Sequence, residues 1–371
     1  MKYYLVAGEA SGDLHGSNLM KALRGKDLAA EFRFYGGDLM AAAGGTLVKH
    51  YREMAFMGLT DIIANILTIR RNMILCKNDI ISYQPDSLIL IDYPGFNLRM
   101  AEFASRNGIK TFYYISPKVW ASREARVEKI RKYVTKLFVI FPFEVEYFRQ
   151  KGIDVVYSGN PLMDSFYEFK SKNTDPRSIL KEIATDHKPI IALLSGSRKH
   201  EISRCLPEMV KAAKYFPGYQ FVVAGMSSAG TEQYQKLLDG TDIKVVYDRT
   251  YELLSVAHAA VVTSGTATLE TALFKVPQVV IYKIGRVTYH IGKMFVNIPY
   301  FSLVNIIAGR EVVKELLQFK LAGGIRRELE RLLSDDIYRL SIISGYEEIL
   351  SKIGREGSST RTAEAIWDIM N

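Results

Sequence analysis

Cysteine is nearly missing from this chain of 371 residues. The two present, Cys76 and Cys205, cannot build a disulfide framework and fit a reducing compartment. No stretch approaches the roughly 18 uninterrupted apolar residues that a spanning helix needs, and the apolar start before Gly8 and Glu9 is too short for a signal peptide. The expectation is a cytosolic protein, or one that sits on a membrane without crossing it. Six histidines form no H-E-x-x-H pattern and no cysteine pair has zinc spacing, so no metal site is expected. G-x-G-x-x-G and G-K-[ST] are also missing, which removes most support for nicotinamide enzymes and P-loop nucleotidases. Around Ser195 the frame is L-S-G-S-R, not the G-x-S-x-G of a hydrolase elbow. No helix-turn-helix or zinc-finger frame supports nucleic acid as a partner.

What is present reads as a folded protein, with 48% hydrophobic and 24% charged residues. At about 150 residues per domain, the length fits two domains. The net charge of +9 is unevenly placed. Residues 117–136 alone hold Lys118, Arg123, Arg126, Lys129, Arg131, Lys132 and Lys136 against Glu124 and Glu128. This stretch reads equally as a solvated helix face laced with ion pairs or as a contact for phosphates on a substrate or membrane surface.

Short apolar runs alternate with amphipathic stretches. The pattern predicts strands at Tyr3–Ala7, Phe32–Tyr35, Ser87–Ile91, Thr111–Ile115 and Lys136–Ile140, with helices such as Asp13–Leu23 and Asn97–Asn107 between them. A second series follows at Ile190–Leu194, Gln220–Ala224, Lys244–Tyr247, Ala259–Thr263 and Gln278–Tyr282. Strands separated by helices predict an α/β chain of two doubly wound, Rossmann-like domains, facing each other across a cleft at the carboxyl ends of their sheets. The boundaries expected are 1–165 and 166–344, with C-terminal helices at about 345–371 packing back on the first domain.

The motifs follow the strands. After the first comes Gly8-Glu9-Ala10-Ser11-Gly12-Asp13, where the glycines permit a tight turn and Asp13 can cap a helix. A turn does not need Glu9, which leaves a ligand or catalytic-support role open for it. Asp92 ends the buried run Ser87–Ile91, where a carboxylate can cap the next turn or act as general base for a hydroxyl. In the second half, Ser195-Gly196-Ser197-Arg198 and Ser264-Gly265-Thr266-Ala267-Thr268 each lead into a helix. Small residues at a helix N-terminus, with an arginine fork, suit phosphates, and Glu270 can accept from a ribose. Two anion sites and a carboxylate in the second domain favour a sugar-nucleotide transferase over a dehydrogenase. Residues 54–83 place Ile62, Ile63, Ile66, Ile69, Met73, Cys76 and Ile80 on one helical stripe and Leu67, Ile74, Leu75 and Ile81 off it, interrupted by Arg70 and Arg71. A helix apolar on two faces is buried on both or touches lipid, with the arginines snorkelling.

These motifs together resemble the lipid-A-disaccharide synthases, inverting glycosyltransferases of the two-Rossmann-domain (GT-B) type. The resemblance rests on V-A-G-E-A-S-G-D (6–13), M-G (57–58), I-D-Y-P-G-F-N (91–97), Y-I-S-P-K-V-W-A (114–121), F-P-F-E (141–144), S-G-S-R (195–198), S-G-T-A-T-L-E (264–270) and N-I-I-A-G-R-E-V-V-K-E-L-L-Q (305–318). It implies transfer of 2,3-diacylglucosamine from its UDP donor to 2,3-diacylglucosamine 1-phosphate, giving a β-1,6-linked lipid A disaccharide 1-phosphate and UDP, a step toward lipopolysaccharide that needs no cofactor. By the same resemblance Asp92 is the general base and Glu9 an acidic group near the acceptor, in one loop with Ser11, Gly12 and Asp13. The donor would be held by Arg198, Ser197, Ser264, Gly265, Thr266, Glu270 and Asn305. Ile62, Ile63, Ile66, Leu67, Arg70 and Arg71 would meet the inner face of the inner membrane, to which the protein would bind peripherally. The chain departs from the family at Trp120-Ala121-Ser122 (often W-A-W), Gly159-Asn160-Pro161 (often G-H-P) and Ser302-Leu303-Val304-Asn305 (often S-L-P-N).

Two competing readings remain at this level. One is another UDP-N-acetylglucosamine enzyme on the same scaffold, an epimerase or a peptidoglycan glycosyltransferase. The other is a catalytically silent lipid-binding protein, against which Asp92, Arg198 and Glu270 argue. The helical stretch 325–353 is a candidate for pairing two copies into a homodimer and equally for pairing within one chain.

Overall fold

The computed structural model describes residues 1–54, 66–119, 125–172, 175–183, 188–285 and 299–371. The chain divides into two compact units, Met1–Asp164 with Gly354–Asn371, and Ser165–Ile353.

The first unit runs β1 (Lys2–Ala7), α1 (Ala10–Lys26), β2 (Glu31–Gly36), α2 (Asp38–Ala43), β3 (Thr46–His50), α3 (Ile66–Tyr83), β4 (Ser87–Ile91), α4 (Pro94–Arg106), β5 (Lys110–Tyr114), α5 (Arg126–Tyr133), β6 (Lys136–Val139), α6 (Pro142–Gln150) and β7 (Val155–Tyr157). Its strands are parallel in the order β3-β2-β1-β4-β5-β6-β7. Successive side chains point to opposite faces of a strand, so each central strand feeds two cores. Tyr4, Val6, Leu88, Leu90 and Tyr113 enter one; Tyr3, Leu5, Ile89, Ile91 and Phe112 enter the other. Burial on both faces is why these strands read as unbroken apolar runs.

The boundary falls inside α7 (Pro161–Ser171), whose residues from Ser165 onward open the second unit. That unit then runs α8 (Pro176–Ile183), β8 (Ile190–Leu194), α9 (Lys199–Ala213), β9 (Gln220–Gly225), α10 (Thr231–Leu238), β10 (Lys244–Tyr247), α11 (Thr250–Val256), β11 (Ala257–Thr263), α12 (Thr266–Leu273), β12 (Gln278–Tyr282), α13 (Leu303–Ala308), β13 (Lys314–Leu317), α14 (Leu321–Ser334) and α15 (Asp336–Ile353). Its parallel order is β10-β9-β8-β11-β12-β13.

The tail returns to the first unit as α16 (Ser358–Met370). Residues 345–353, placed with the returning helices on sequence grounds, instead complete α15 of the second unit. Asp164 caps α16, accepting from the N–H groups of Gly357 (2.5 Å), Ser358 (3.2 Å) and Ser359 (3.3 Å). Ala363 and Ile366 then enter the core that holds Leu19 and Leu23 of α1.

In both sheets the strand order reverses once, between β1 and β4 and between β8 and β11. At such a switch point the following loops diverge to opposite faces and leave room for a ligand beyond the carboxyl ends. These are the strands whose ends carry Glu9 and Asp92 in one unit, and Ser195–Arg198 and Ser264–Thr268 in the other.

Candidate active site

In the first unit, Ala7 of β1 is paired with Ile91 of β4, so the two loops leave the sheet side by side. A Cβ on Gly8 would lie 2.3 Å from the Tyr93 ring, so glycine is what lets the loops touch. Glu9 follows, half-buried, and its charge adds to burial in pushing the Tyr93 hydroxyl pKa up. Asp92 is also half-buried. Its neighbour Tyr113 is shifted far up, first by burial and then by the Asp92 charge, with Arg126 acting the other way. Glu9, Asp92 and Arg126 therefore act on one small region of the first sheet's carboxyl edge.

The remaining first-loop residues take different roles. Ser11 is exposed and Gly12 is buried against Ala7. The Asp13 carboxylate is buried and accepts from the N–H groups of Gly37 (2.7 Å), Leu39 (3.1 Å) and Met40 (3.0 Å). It caps α2, not its own helix.

In the second unit, Arg198 is the N-cap of α9. The N–H groups of Ser197 (3.1 Å) and Arg198 (3.3 Å) both donate to Glu201, whose other oxygen pairs with the Arg198 guanidinium at 3.3 Å. An internal carboxylate thus takes the N–H groups of Ser197 and Arg198, just before the helix. The Arg198 guanidinium, about half exposed, is the group at this loop that can still turn to a phosphate. The Glu201 position was legible as a capping pair three residues apart, but its consequence for the anion site was not.

At the second loop, the Ser264 hydroxyl donates to the carbonyl of Phe301 (2.7 Å) and Thr268 to that of Gly265 (2.8 Å), while Thr266 is exposed at the start of α12. Glu270 is half-buried; burial raises its pKa and a hydrogen bond with Tyr251 opposes the shift. Asn305 is held by the fold. It is fully buried, accepts from Val312 (2.7 Å) and Val313 (3.0 Å), and donates to Val313 (2.8 Å) and Glu315 (2.8 Å). These bonds saturate its amide and hold the turn before β13. Glu315 also accepts from Phe301 and Ser302, which ties this turn to the carbonyl that Ser264 grips.

A cavity of about 400 Å³ opens at the ends of β12 and β13, with Arg204, Lys283 and Lys320 on its wall. Lys283 is paired with Glu208 at 2.7 Å. Arg204 on its wall belongs to α9, the helix that Arg198 caps, and the Arg198 and Glu201 charges both act on Tyr282 at the end of β12.

The basic stretch 117–136 splits. Lys129 pairs with Glu102, Arg131 with Glu128 and Lys136 with Asp154, as a solvated helix face does, while Lys118 is exposed. Arg123 lies outside the described residues, as do Trp120–Ser122. Asn160 at the second departure is buried, bonding to Ile140 and Leu162 in the start of α7. Val304 at the third is fully buried.

Of the helix assigned to lipid, Ile62 and Ile63 lie outside the described residues. On α3, Cys76 and Ile80 are buried, whereas Ile66 (60%), Leu67 (77%), Ile74 (50%), Leu75 (44%) and Ile81 (48%) are exposed beside exposed Arg70 and Arg71. Of the stripe expected from the sequence, Cys76 and Ile80 pack but Ile66 faces outward with Leu67, Ile74, Leu75 and Ile81. Among the described residues no helix is long and apolar enough to cross a membrane.

A family profile described as lipid-A-disaccharide synthetase matches residues 3–336. The lipid-A-disaccharide synthase of Geobacter metallireducens is 37% identical over 99% of this chain and 96% of that protein. That of Syntrophus aciditrophicus is 38% identical over 97% and 95%. Among solved structures, the UDP-GlcNAc 2-epimerase from Neisseria meningitidis bound to UDP-GlcNAc matches with a TM-score of 0.70 at 14% identity, over 99% of this chain and all (100%) of that one. The calicheamicin glycosyltransferase matches at 0.59 and 17%, over 99% and 97%. Identities this low establish the shared GT-B fold alone.

Proposed function

Because the chain belongs to the lipid-A-disaccharide synthetase family and is a glycosyltransferase of lipid A disaccharide formation, we propose how its two units divide that reaction. The first unit takes the acceptor, 2,3-diacylglucosamine 1-phosphate, and the second takes UDP-2,3-diacylglucosamine. Asp92 is the general base: it removes the proton from the acceptor's 6-hydroxyl as that oxygen bonds to the donor's anomeric carbon. The bond from that carbon to the diphosphate breaks, and its electron pair leaves with UDP, inverting the anomeric centre. The observation that carries this assignment is the half-buried Asp92 at the switch point of the first sheet, beside Glu9. Glu9 orients the acceptor, with Ser11 exposed at the same loop.

Arg198 meets the leaving diphosphate, releasing part of its hold on Glu201. Gly265, Thr266 and the start of α12 offer main-chain N–H groups to the same charge. Glu270 accepts from the ribose. The exposed stripe of α3, with Arg70 and Arg71, rests on the inner face of the inner membrane, where both acylated substrates lie. A neighbour of the same fold, the epimerase from Neisseria meningitidis, is solved with UDP-GlcNAc bound, which supports a UDP-sugar as the donor.

The deciding experiment mixes the protein with UDP-2,3-diacylglucosamine and the monosaccharide 1-phosphate and follows UDP and disaccharide by mass spectrometry. Disaccharide forms with the native chain and falls by at least about 100-fold with Asp92→Asn, the usual range for a lost general base. Full turnover by a folded Asp92→Asn protein would remove Asp92 from the base role.

A further inference from the structure

The turn that carries Asp92 is held in a conformation its residue types disfavour. Asp92 and Tyr93 are consecutive non-glycine residues at φ +45° and +46°, where the side-chain Cβ crowds the following carbonyl. Such backbone persists only where its surroundings over-determine it.

Two buried side chains from separate elements do this. Asn97, in the first turn of α4, donates its amide to the carbonyl oxygen of Asp92 (2.8 Å) and lies within reach of those of Ile91 (3.2 Å) and Val6 (3.3 Å). Tyr113, on β5, donates its hydroxyl to the same Asp92 oxygen at 2.6 Å. Asn97 and Tyr113 are both fully buried. Neither the β4–β5 ladder nor α4 needs these bonds: the ladder is already continued by the Asp92 N–H to Tyr114, and α4 starts on the Tyr93 carbonyl. A phenylalanine and a leucine would fill the two sites without burying polar groups, which is unfavourable unless they are bonded. The Asn97 amide N–H groups and the Tyr113 hydroxyl are accounted for by what they grip, while Asn97 Oδ1 is buried without a hydrogen-bond partner among the described residues, and both side chains grip one carbonyl.

We propose that Asn97 and Tyr113 are positioning residues for the acceptor-side carboxylate, clamping the Asp92 main chain in its left-handed turn so that the side chain is already aimed at the acceptor hydroxyl. This rests on the reading of Asp92 as general base. The clamp touches no substrate. Its loss would therefore lower the rate of the chemical step and leave substrate binding alone, because a displacement of about 1 Å at a reacting group can cost on the order of 100-fold in rate.

The test is a double-mutant cycle on the full chain, with Tyr113→Phe and Asp92→Asn alone and together. Turnover number, KM for both substrates and thermal midpoint are measured for each. Tyr113→Phe is expected to lower kcat by about 10-fold or more with both KM values unchanged, and to add no further loss in the Asp92→Asn background. Unchanged kcat in Tyr113→Phe, or the same fold loss with and without Asp92, overturns the clamp. Asp92→Asn at full turnover overturns the base reading itself, a different result from an inactive Asp92→Asn beside a fully active Tyr113→Phe. If Tyr113→Phe does not fold, Asn97→Ser is read by the same criteria.

Discussion

Glu270 is the residue where burial and function pull in opposite directions. Burial raises its carboxyl above the ordinary range, so protons bind it more readily in the folded state than in the unfolded chain. Folding therefore gains from Glu270 as the pH falls through that raised value, and this part of the stability is lost as the pH rises through it. Donor binding runs the other way, because only the ionised carboxylate can accept from both hydroxyls of a ribose. KM for the UDP donor is expected to rise as the pH is lowered through that raised value. Glu270→Gln, which cannot titrate, should show a higher KM that no longer changes on this limb. Steady-state kinetics across the range checks it, and an unchanged slope in the variant removes Glu270 from the ribose. The same scale shows what a sequence leaves unread. Asp13 and Asn305 stand in motifs after strands as a ligand-binding residue would, yet their hydrogen bonds run to the backbone of Gly37 and Val312. A position in a motif does not distinguish a side chain that touches substrate from one that holds the loop that does. Tyr113 carried no signal at all, since in a buried strand its hydroxyl reads as part of an aromatic core residue.

Elements were more legible where both faces of a strand are buried. The runs at Ser87–Ile91 and Ile190–Leu194 are buried at every residue and read directly as strands. The strands that escaped, Thr46–His50, Val155–Tyr157 and Lys314–Leu317, are all sheet edges in which no residue is fully buried. An edge needs no continuous apolar run and blunts itself with charge or shortness. The helix Ile66–Tyr83 was legible as apolar on two faces but not as to which face packs. With Cys76 and Ile80 inside and Ile66 and Leu67 outside, a test can address the outer stripe without disturbing the core. Ile66→Glu with Leu67→Glu should leave the melting curve within a few degrees and markedly reduce flotation with anionic vesicles, because interfacial binding scales with the apolar area buried. Flotation equal to that of the native chain would remove this stripe from the membrane contact.

At the scale of the whole molecule, the chain crosses between its units twice, near Asp164–Ser165 and Ile353–Gly354. The first unit is thus closed by residues that follow the entire second unit in sequence. Its completion depends on α16, whose Ile366 is fully buried beside Leu19 and Leu23, and on the Asp164 cap at that helix's start. A multidomain chain need not unfold in one step, and each unit here has cores of its own. Ile366→Ala leaves a cavity in the first unit's core, at a cost of roughly 2–5 kcal/mol. The expected result in scanning calorimetry is a transition lowered by several degrees for the first unit, with the second unit's transition in place. UDP added in excess should raise the second transition alone, since a ligand stabilises only the unit it binds. A single transition shifting as one in Ile366→Ala, or UDP protecting the first unit instead, would show that the units do not hold their stability, or their substrates, separately.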